Sequence, residues 1–269
     1  MWQQLQDIGG LIYMSKIKNA FEGKKAFLGF LTAGDPSLDK TAEFVLEMER
    51  AGATLIELGI PFTDPIADGP VIQEANIRAL DAGCTTDKIF DMVKELRNKT
   101  QIPLVFLAYL NVLYKYGYER FCEKCKECGI DGVIIPDLPY EEQGELKPIA
   151  AKYDVDVITM IAPTSEERIK TVAKDATGFI YVVSSMGVTG ARSEITTDVN
   201  EIISMIRETT DVPVAIGFGI NTREQVTKYA NIADGAIVGS AIVKIIAEYG
   251  KEAGPKLYDY VKEMVLDIR

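Results

Sequence analysis

The chain has 269 residues, of which 47% are hydrophobic and 26% are charged, enough to build one large domain or two small ones. Its formal net charge of −11 argues against nucleic acid as a partner, because neutralising phosphates takes a basic face. No apolar run approaches the roughly 20 residues of a membrane span and no signal segment opens the chain, so we expect a cytoplasmic protein without a membrane partner.

The first thirteen residues fit poorly with the pattern that follows them. They hold the only tryptophan, Trp2, and the segment Met14-Ser15-Lys16-Ile17 looks like a second start. We therefore interpret residues 1–13 as an N-terminal extension outside the fold and expect the folded domain to span residues 14–269.

From residue 15 onward, apolar runs alternate with segments of helical periodicity. A short helix over residues 15–22 comes first. The predicted strands are 26–32, 54–58, 103–109, 132–136, 155–161, 178–183, 212–216 and 236–238. The predicted helices are 38–51, 71–82, 86–98, 118–128, 140–152, 165–174, 198–208, 222–230, 240–248 and 255–267.

Eight strand–helix units follow one another without a linker or a break in composition. This order predicts a single α/β domain, a (β/α)8 TIM barrel, with an extra N-terminal helix and extra helices in the second and eighth units. Catalytic groups of such barrels lie at the carboxyl ends of the strands, so the residues that follow each strand are the candidates for a site.

The second strand contains an acid, Glu57, within an apolar run. Burial would raise the pKa of its carboxyl group toward neutrality, which a general acid or base working near pH 7 requires. The loop after this strand carries Asp64 and Asp68 between closely spaced prolines that restrict its backbone. Three acids at one strand end indicate a catalytic edge. The alternative is structural, with the aspartates as helix caps and Glu57 as the partner of a buried cation.

Glycines follow the last three strands, in Gly187-Val188-Thr189-Gly190, Gly217-Phe218-Gly219 and Gly239-Ser240. Backbone N–H groups at such turns and at helix N-termini bind anions, and the last two loops of these barrels usually hold a phosphate. No lysine or arginine lies at the last two strand ends, so binding would depend on backbone dipoles. The loop 184–194 has the composition of a mobile lid or of a plain surface loop.

The residue inventory excludes several kinds of chemistry. The chain has no histidine, no lysine at a strand end for a Schiff base, and no G-x-G-x-x-G after the first strand for a dinucleotide. Cys122, Cys125 and Cys128 have the spacing of a metal site, but only Cys84 remains as a fourth ligand. We interpret them as small core residues, with Cys128 well round the helix from the other two. What remains is metal-free, cofactor-free carboxylate catalysis on a phosphorylated small molecule.

Residues 57–70 match without a break the pattern Glu-Leu-Gly-x-Pro-Phe-Ser/Thr-Asp-Pro-x-Ala-Asp-Gly-Pro. This stretch resembles the signature of the tryptophan synthase α subunit, and the resemblance covers nearly the whole chain from about Met14. It implies retro-aldol cleavage of indole-3-glycerol phosphate to indole and glyceraldehyde 3-phosphate without a cofactor. By this resemblance Glu57 would be the general acid and base. Asp68 would accept a hydrogen bond from the indole N–H and stabilise positive charge on the ring.

The resemblance also implies the other contacts of the site. The substrate would lie against Phe30, Tyr109, Ile134, Tyr181, Thr189 and Phe218. Its phosphate would be bound by Gly190, Gly219, Gly239 and Ser240. The family acts as an αββα complex that passes indole to the β subunit, which would contact Asp64, Pro65 and Asn111. Two alternatives stay open: a free-standing indole-3-glycerol-phosphate lyase, and a silent barrel that only activates a β subunit.

Overall fold

The computed structural model describes residues 16–183 and 199–268. The extension predicted over 1–13 and the predicted lid 184–194, with Thr189 and Gly190, lie outside these ranges. No helix in the described part of the chain combines the length and the apolar character that crossing a bilayer requires.

Eight parallel strands in the described ranges form a closed barrel in chain order, with β8 paired to β1. They are β1 (Ala26–Thr32), β2 (Leu55–Gly59), β3 (Leu104–Leu107), β4 (Gly132–Ile134), β5 (Asp156–Ile161), β6 (Thr177–Val183), β7 (Val214–Gly217) and β8 (Gly235–Val238). Strands buried on both faces are nearly continuous apolar runs, which is why each one was visible in the sequence. The predicted TIM barrel is confirmed.

Helices surround the barrel, and the pairs that follow β2 and β8 agree with the prediction. The helices are α1 (Lys16–Asn19), α2 (Leu38–Ala51), α3 (Pro70–Asp81), α4 (Thr86–Leu96), α5 (Leu110–Tyr116), α6 (Tyr118–Cys128), α7 (Lys147–Lys152), α8 (Glu166–Lys174), α9 (Val199–Arg207), α10 (Arg223–Ile232), α11 (Ser240–Tyr249) and α12 (Ala253–Met264). The N-terminal helix α1 is shorter than its predicted range of 15–22.

Two helix predictions were wrong. The third unit contains an additional helix, α5. The residue before it, Tyr109, supplies no side-chain cap to mark its start, and Gly117, at φ 90°, separates it from α6. The helix predicted over 140–152 is interrupted, because Tyr140–Glu142 forms a 3-10 turn and α7 begins later, with Pro148 in its first turn. Proline lacks the N–H that a continuing helix would need, so it favours a new start at this point.

The barrel interior is filled by apolar side chains from successive strands, among them Leu28, Leu55, Val105, Ile134, Ile158, Phe179 and Ile237. At one end, Ile17 and Ala20 pack against this cluster from α1 and its following turn, and the rings of Phe21 and Phe179 lie 5.9 Å apart. A helix of four residues is too short to be stable alone, so this burial holds α1 in place. Apolar side chains thus close the amino-terminal end of the barrel.

The three cysteines of α6 are core residues. Cys122, Cys125 and Cys128 are free and buried, and α6 packs against α4 and α7. Cys128, which the helical spacing places well round α6 from the other two, packs in the same core. Burial raises the pKa of the Cys122 thiol to about 11. Within the described residues, no group of three or more His, Cys, Asp or Glu side chains could hold a metal ion.

Candidate active site

Glu57 points into the barrel from the centre of β2. Its Cα partners are Phe30 on β1 and Val105 on β3, and only 1% of the residue is exposed. Its Oε1 atom is buried and has no hydrogen-bond partner among the described residues. Burial raises the pKa of the Glu57 carboxyl group to about 8. At pH 7 this group therefore holds a proton that it can donate.

Tyr181 extends from β6 across the barrel interior toward Glu57 on β2. Burial raises the pKa of its phenol, and the charges of Glu57 and Asp68 raise it further, so the phenol is close to both acids. Room for the phenol comes from Gly217 at the end of β7, where a Cβ would lie 2.3 Å from Tyr181 Oη. Any other residue at that position would displace the tyrosine from the two acids.

Asp68 lies in the loop between β2 and α3 and is held at two points by α3. Gln73 Nε2 donates a hydrogen bond to the main-chain oxygen of Asp68 at 2.8 Å, and Asn76 Nδ2 lies 3.4 Å from Asp68 Oδ2. Burial raises the pKa of the Asp68 carboxyl group, and hydrogen bonds from Tyr109 and Asn76 lower it. These two bonds favour the ionised form that a buried carboxyl group would otherwise lose.

Tyr109 connects this loop to the third strand–helix unit. Its hydroxyl oxygen accepts a hydrogen bond from the main-chain N–H of Ala67 at 3.0 Å, and its ring stacks on Phe62 with centroids 5.4 Å apart. The next residue, Leu110, begins α5, and its N–H donates to Asp137 Oδ1 at 2.8 Å. Tyr109 therefore has a second task beyond the predicted substrate contact, since it fixes the loop that carries Asp68.

The other predicted substrate side chains extend an apolar wall from the interior to the mouth. Ile134 is fully buried in the interior, and Leu107 contacts both that cluster and Phe30, which packs against α3 and α11. A Cβ at Gly59 would lie 2.8 Å from Phe30 Cζ, so glycine makes room for the ring. Phe218, at the mouth, is 36% exposed and has a backbone φ of 89°.

The predicted phosphate-binding residues lie after β7 and β8. Gly219 has a φ of 74°, and a Cβ on it would contact nothing within 4 Å, so its backbone borders open space. Gly239 precedes α11, and a Cβ on it would meet Phe30 at 3.5 Å, an ordinary contact. Ser240 is the first residue of α11 and is exposed. The free N–H groups and the positive dipole end of α11 favour an anion in this position.

The three candidates for partner contact lie on one side of the barrel mouth. Asp64 and Asn111 line a surface groove of about 580 Å³, and Pro65 follows Asp64 in the same loop. The next residue, Ile66, is 78% exposed.

A family model described as tryptophan synthase alpha chain matches residues 16–265. The chain belongs to this family. It is 47% identical to the tryptophan synthase alpha chain of Lacticaseibacillus casei over 251 residues, which cover 93% of this chain and 94% of that protein. It is 50% identical to that of Alkaliphilus metalliredigens over 238 residues, covering 87% of this chain and 90% of the relative.

Solved structures of tryptophan synthases have the same fold. The tryptophan synthase α2β2 complex of Pyrococcus furiosus contains a chain with a TM-score of 0.80 and 37% identity, covering 90% of this chain and 98% of that one. Tryptophan synthase from M. tuberculosis contains a chain with a TM-score of 0.84 and 27% identity, and the match covers 95% of this chain and 100% of that one. The resemblance found in residues 57–70 therefore extends to the whole barrel.

Sequence reasoning missed two residues of this tryptophan synthase site. Asn76 contacts Asp68 from the buried face of α3, where a lone polar residue was the available signal. Gly217 was grouped with the phosphate loop, whereas its lack of a side chain makes room for Tyr181. That task depends on a residue of another strand, so nothing near Gly217 in the sequence could indicate it.

Proposed function

We propose that this chain is the α subunit of a tryptophan synthase and cleaves indole-3-glycerol phosphate to indole and glyceraldehyde 3-phosphate. The proposal rests on the state of Glu57. Its buried Oε1 atom has no hydrogen-bond partner among the described residues, and burial raises the pKa of its carboxyl group to about 8. Membership of the tryptophan synthase alpha chain family agrees with it. A reversible proton donor in a closed apolar barrel fits an acid-catalysed cleavage of a carbon–carbon bond.

Glu57 transfers a proton twice. Protonated at neutral pH, it donates to the indole ring carbon that bears the glycerol phosphate chain, which places positive charge on the ring nitrogen. The resulting carboxylate then takes the proton from the hydroxyl on the adjacent side-chain carbon. The electrons of that O–H bond form the aldehyde, the carbon–carbon bond breaks, and its electrons neutralise the ring as indole leaves. Glu57 ends the cycle protonated, as it began.

Asp68 stabilises the charge that appears between these two steps. Its ionised carboxylate accepts a hydrogen bond from the indole N–H and lies beside the nitrogen as that nitrogen becomes positive. A fixed anion at this position lowers the energy of the intermediate because it needs no reorganisation during the reaction. The indole ring lies against Phe30, Tyr109, Ile134, Tyr181, Thr189 and Phe218.

The substrate phosphate is bound by Gly190, Gly219, Gly239 and Ser240. Gly239 and Ser240 form the N-terminus of α11, and Gly219 lies in the loop after β7; backbone N–H groups replace the cations that these loops lack. A Cβ on Gly239 would contact Phe30 at an ordinary distance, whereas a Cβ on Gly219 would enter open space. Substituting Gly219 is therefore the more specific test of phosphate binding.

Gly219→Ala is expected to weaken the binding of glycerol 3-phosphate by about tenfold or more, since a methyl group would occupy the open space where the anion approaches. Isothermal titration calorimetry measures this change. The matched control is Gly23→Ala, because Gly23 has a φ of 69° against 74° for Gly219 and is equally free of neighbours. Both variants carry the same backbone strain, so equal losses in the two, or wild-type affinity in Gly219→Ala, would remove Gly219 from the phosphate site.

The reaction needs no cofactor, since no electrons leave the substrate and one carboxyl group carries both protons.

The four cysteine thiols are free, which is typical of a reducing compartment, so we place the reaction in the cytoplasm. We keep residues 1–13 as an extension and assign the barrel to 14–269, since the family match begins at residue 16.

The β subunit of tryptophan synthase is the partner, and it contacts the surface formed by Asp64, Pro65 and Asn111. The α2β2 complex of the Pyrococcus furiosus relative supports this assembly. The same loop carries Asp68 and is anchored through Ala67 to Tyr109. A partner that contacts the outer part of this loop therefore affects the position of Asp68 in the active site. Docking thereby stabilises the arrangement in which Asp68 is correctly placed.

Adding the β subunit is expected to raise the cleavage rate of the isolated chain more than about tenfold, a coupling of at least about 1.4 kcal/mol. Asp64→Ala should lower this activation ratio, while Asp211→Ala, an exposed acid that precedes β7 at the other end of the barrel, should not. Steady-state assays of indole release give the ratio. A high rate that no β subunit changes would favour the free-standing lyase, and activation of the β subunit without any cleavage would favour the silent barrel.

A further inference from the structure

Asn76 is a polar side chain where the fold otherwise uses apolar ones. It lies on the buried face of α3 between Ala75 and Ala79 and is 5% exposed. A buried amide without a partner destabilises a fold, and an apolar residue of the same size would avoid that penalty. The amide is directed at Asp68, with Nδ2 3.4 Å from Oδ2.

The surroundings of Asp68 explain why such a donor is needed. Of the described residues, none that acts on the pKa of Asp68 is a lysine or an arginine. The titratable groups that face it are the phenols of Tyr109 and Tyr181, with Glu57 beside Tyr181 and Asp137 beside Tyr109. Burial among these neutral or acidic groups favours the protonated carboxyl group, so neutral hydrogen-bond donors must keep it ionised.

Three contacts hold this part of the loop, and each acts on a different atom. Tyr109 Oη accepts from the N–H of Ala67, which leaves its own proton free for the Asp68 carboxylate. Gln73 holds the main-chain oxygen of Asp68, and Asn76 contacts the carboxylate at Oδ2. With Oδ2 bound, rotation of the carboxylate is restricted and the remaining oxygen has a defined direction.

We propose that Asn76 is a positioning residue for Asp68, which orients the carboxylate toward the indole N–H and keeps it ionised together with the Tyr109 hydroxyl. The role of Asn76 rests on the proposed cleavage reaction. This role explains why an amide lies on the buried face of α3. Gln73 then holds the main chain of Asp68, and Asn76 holds its carboxylate.

The test is the pH dependence of kcat/KM for the chain in complex with the β subunit, in the wild type, Asn76→Leu and Asn76→Asp. The acid limb reports Asp68, and the basic limb, near pH 8, reports Glu57. Removing the amide should move the acid limb up by about one pH unit. Asn76→Asp should move it further, because a second carboxylate beside Asp68 disfavours its charge. The basic limb should stay in place.

Gln73→Leu is the matched control, since it removes a hydrogen bond to the same aspartate but from its main-chain oxygen. Its acid limb should coincide with that of the wild type, whereas Tyr109→Phe, which removes the other donor to the carboxylate, should move the acid limb as Asn76→Leu does. Asn76→Asp has the shape of the native side chain, so it serves if Asn76→Leu fails to fold. An unmoved acid limb, or a rate that falls equally at every pH, would overturn the proposal.

A second measurement separates this inference from the proposed function. The carboxyl carbon of Asp68, labelled with ¹³C and assigned by its absence in Asp68→Asn, can be titrated by NMR without substrate. Its titration should move to higher pH in both Asn76 variants and stay in place in Gln73→Leu. If the wild-type complex cleaves no indole-3-glycerol phosphate, the proposed function is wrong, and this titration alone decides the assignment of Asn76.

Discussion

Glu57→Gln is expected to lower the rate of indole-3-glycerol phosphate cleavage by about two to four orders of magnitude, the usual contribution of a general acid or base. Glutamine keeps the shape of the side chain but has no proton to transfer in either step. Because Glu57 acts only on the reacting atoms, affinity for glycerol 3-phosphate should be almost unchanged, and the loss should appear in kcat. Single-turnover assays of indole formation measure the chemical step directly.

Glu141→Gln provides the control for the chemical change itself. Glu141 is an exposed glutamate that pairs with Arg168 on the outside of the barrel, so losing its charge should leave the cleavage rate as it is. A Glu57→Gln enzyme that turns over at nearly the wild-type rate would remove Glu57 from the mechanism. A loss shared equally with Glu141→Gln would point to a general effect of reduced charge.

The part of the site that could be predicted from the sequence is the part fixed by local pattern. Strand β2 was visible as an apolar run, and side chains on a strand alternate, so Glu57 shares a face with Leu55, which fills the barrel interior. The raised pKa follows from that position alone. Asp68 was found because prolines and acids are concentrated in one loop after the strand.

What could not be predicted depends on closure of the barrel. Tyr181 reaches Glu57 across the interior from β6, and the space it occupies is left by Gly217 on β7. The hydrogen bond from Ala67 to Tyr109 joins residues 42 positions apart. Such contacts are set by strand order and register, which no single segment encodes. Helix α5 was missed because Tyr109, the residue before it, supplies no side-chain cap, and the acceptor of its first N–H, Asp137, lies 27 residues further along the chain.

A second large effect is expected on stability, because Glu57 is a catalytic group that destabilises the fold. In the unfolded chain its pKa is close to the ordinary 4.5, and in the folded chain burial raises that pKa to about 8. Between these values the folded state holds a proton that the unfolded state has released. Stability therefore falls as pH rises from about 4.5 to about 8, and the full penalty remains above that range.

Glu57→Gln should remove this penalty and stabilise the protein on the order of 5 kcal/mol at about pH 9, taking about 1.4 kcal/mol for each pKa unit of the shift. At about pH 5.5 the gain in stability should shrink to about 1 kcal/mol, since this pH is only about one unit above the pKa of Glu57 in the unfolded chain. Urea denaturation at the two pH values, with equal m-values for the two proteins, gives the difference in unfolding free energy.

Glu141→Gln should behave in the opposite sense, since Arg168 lowers the pKa of Glu141 to about 2 and its ionised form stabilises the folded state. That variant should gain nothing at high pH. A Glu57→Gln protein no more stable than wild type at about pH 9 would mean that the Glu57 carboxylate finds a partner or water when it ionises. A gain that is the same at both pH values would assign the effect to packing, because only a titrating group makes the difference between the two proteins depend on pH.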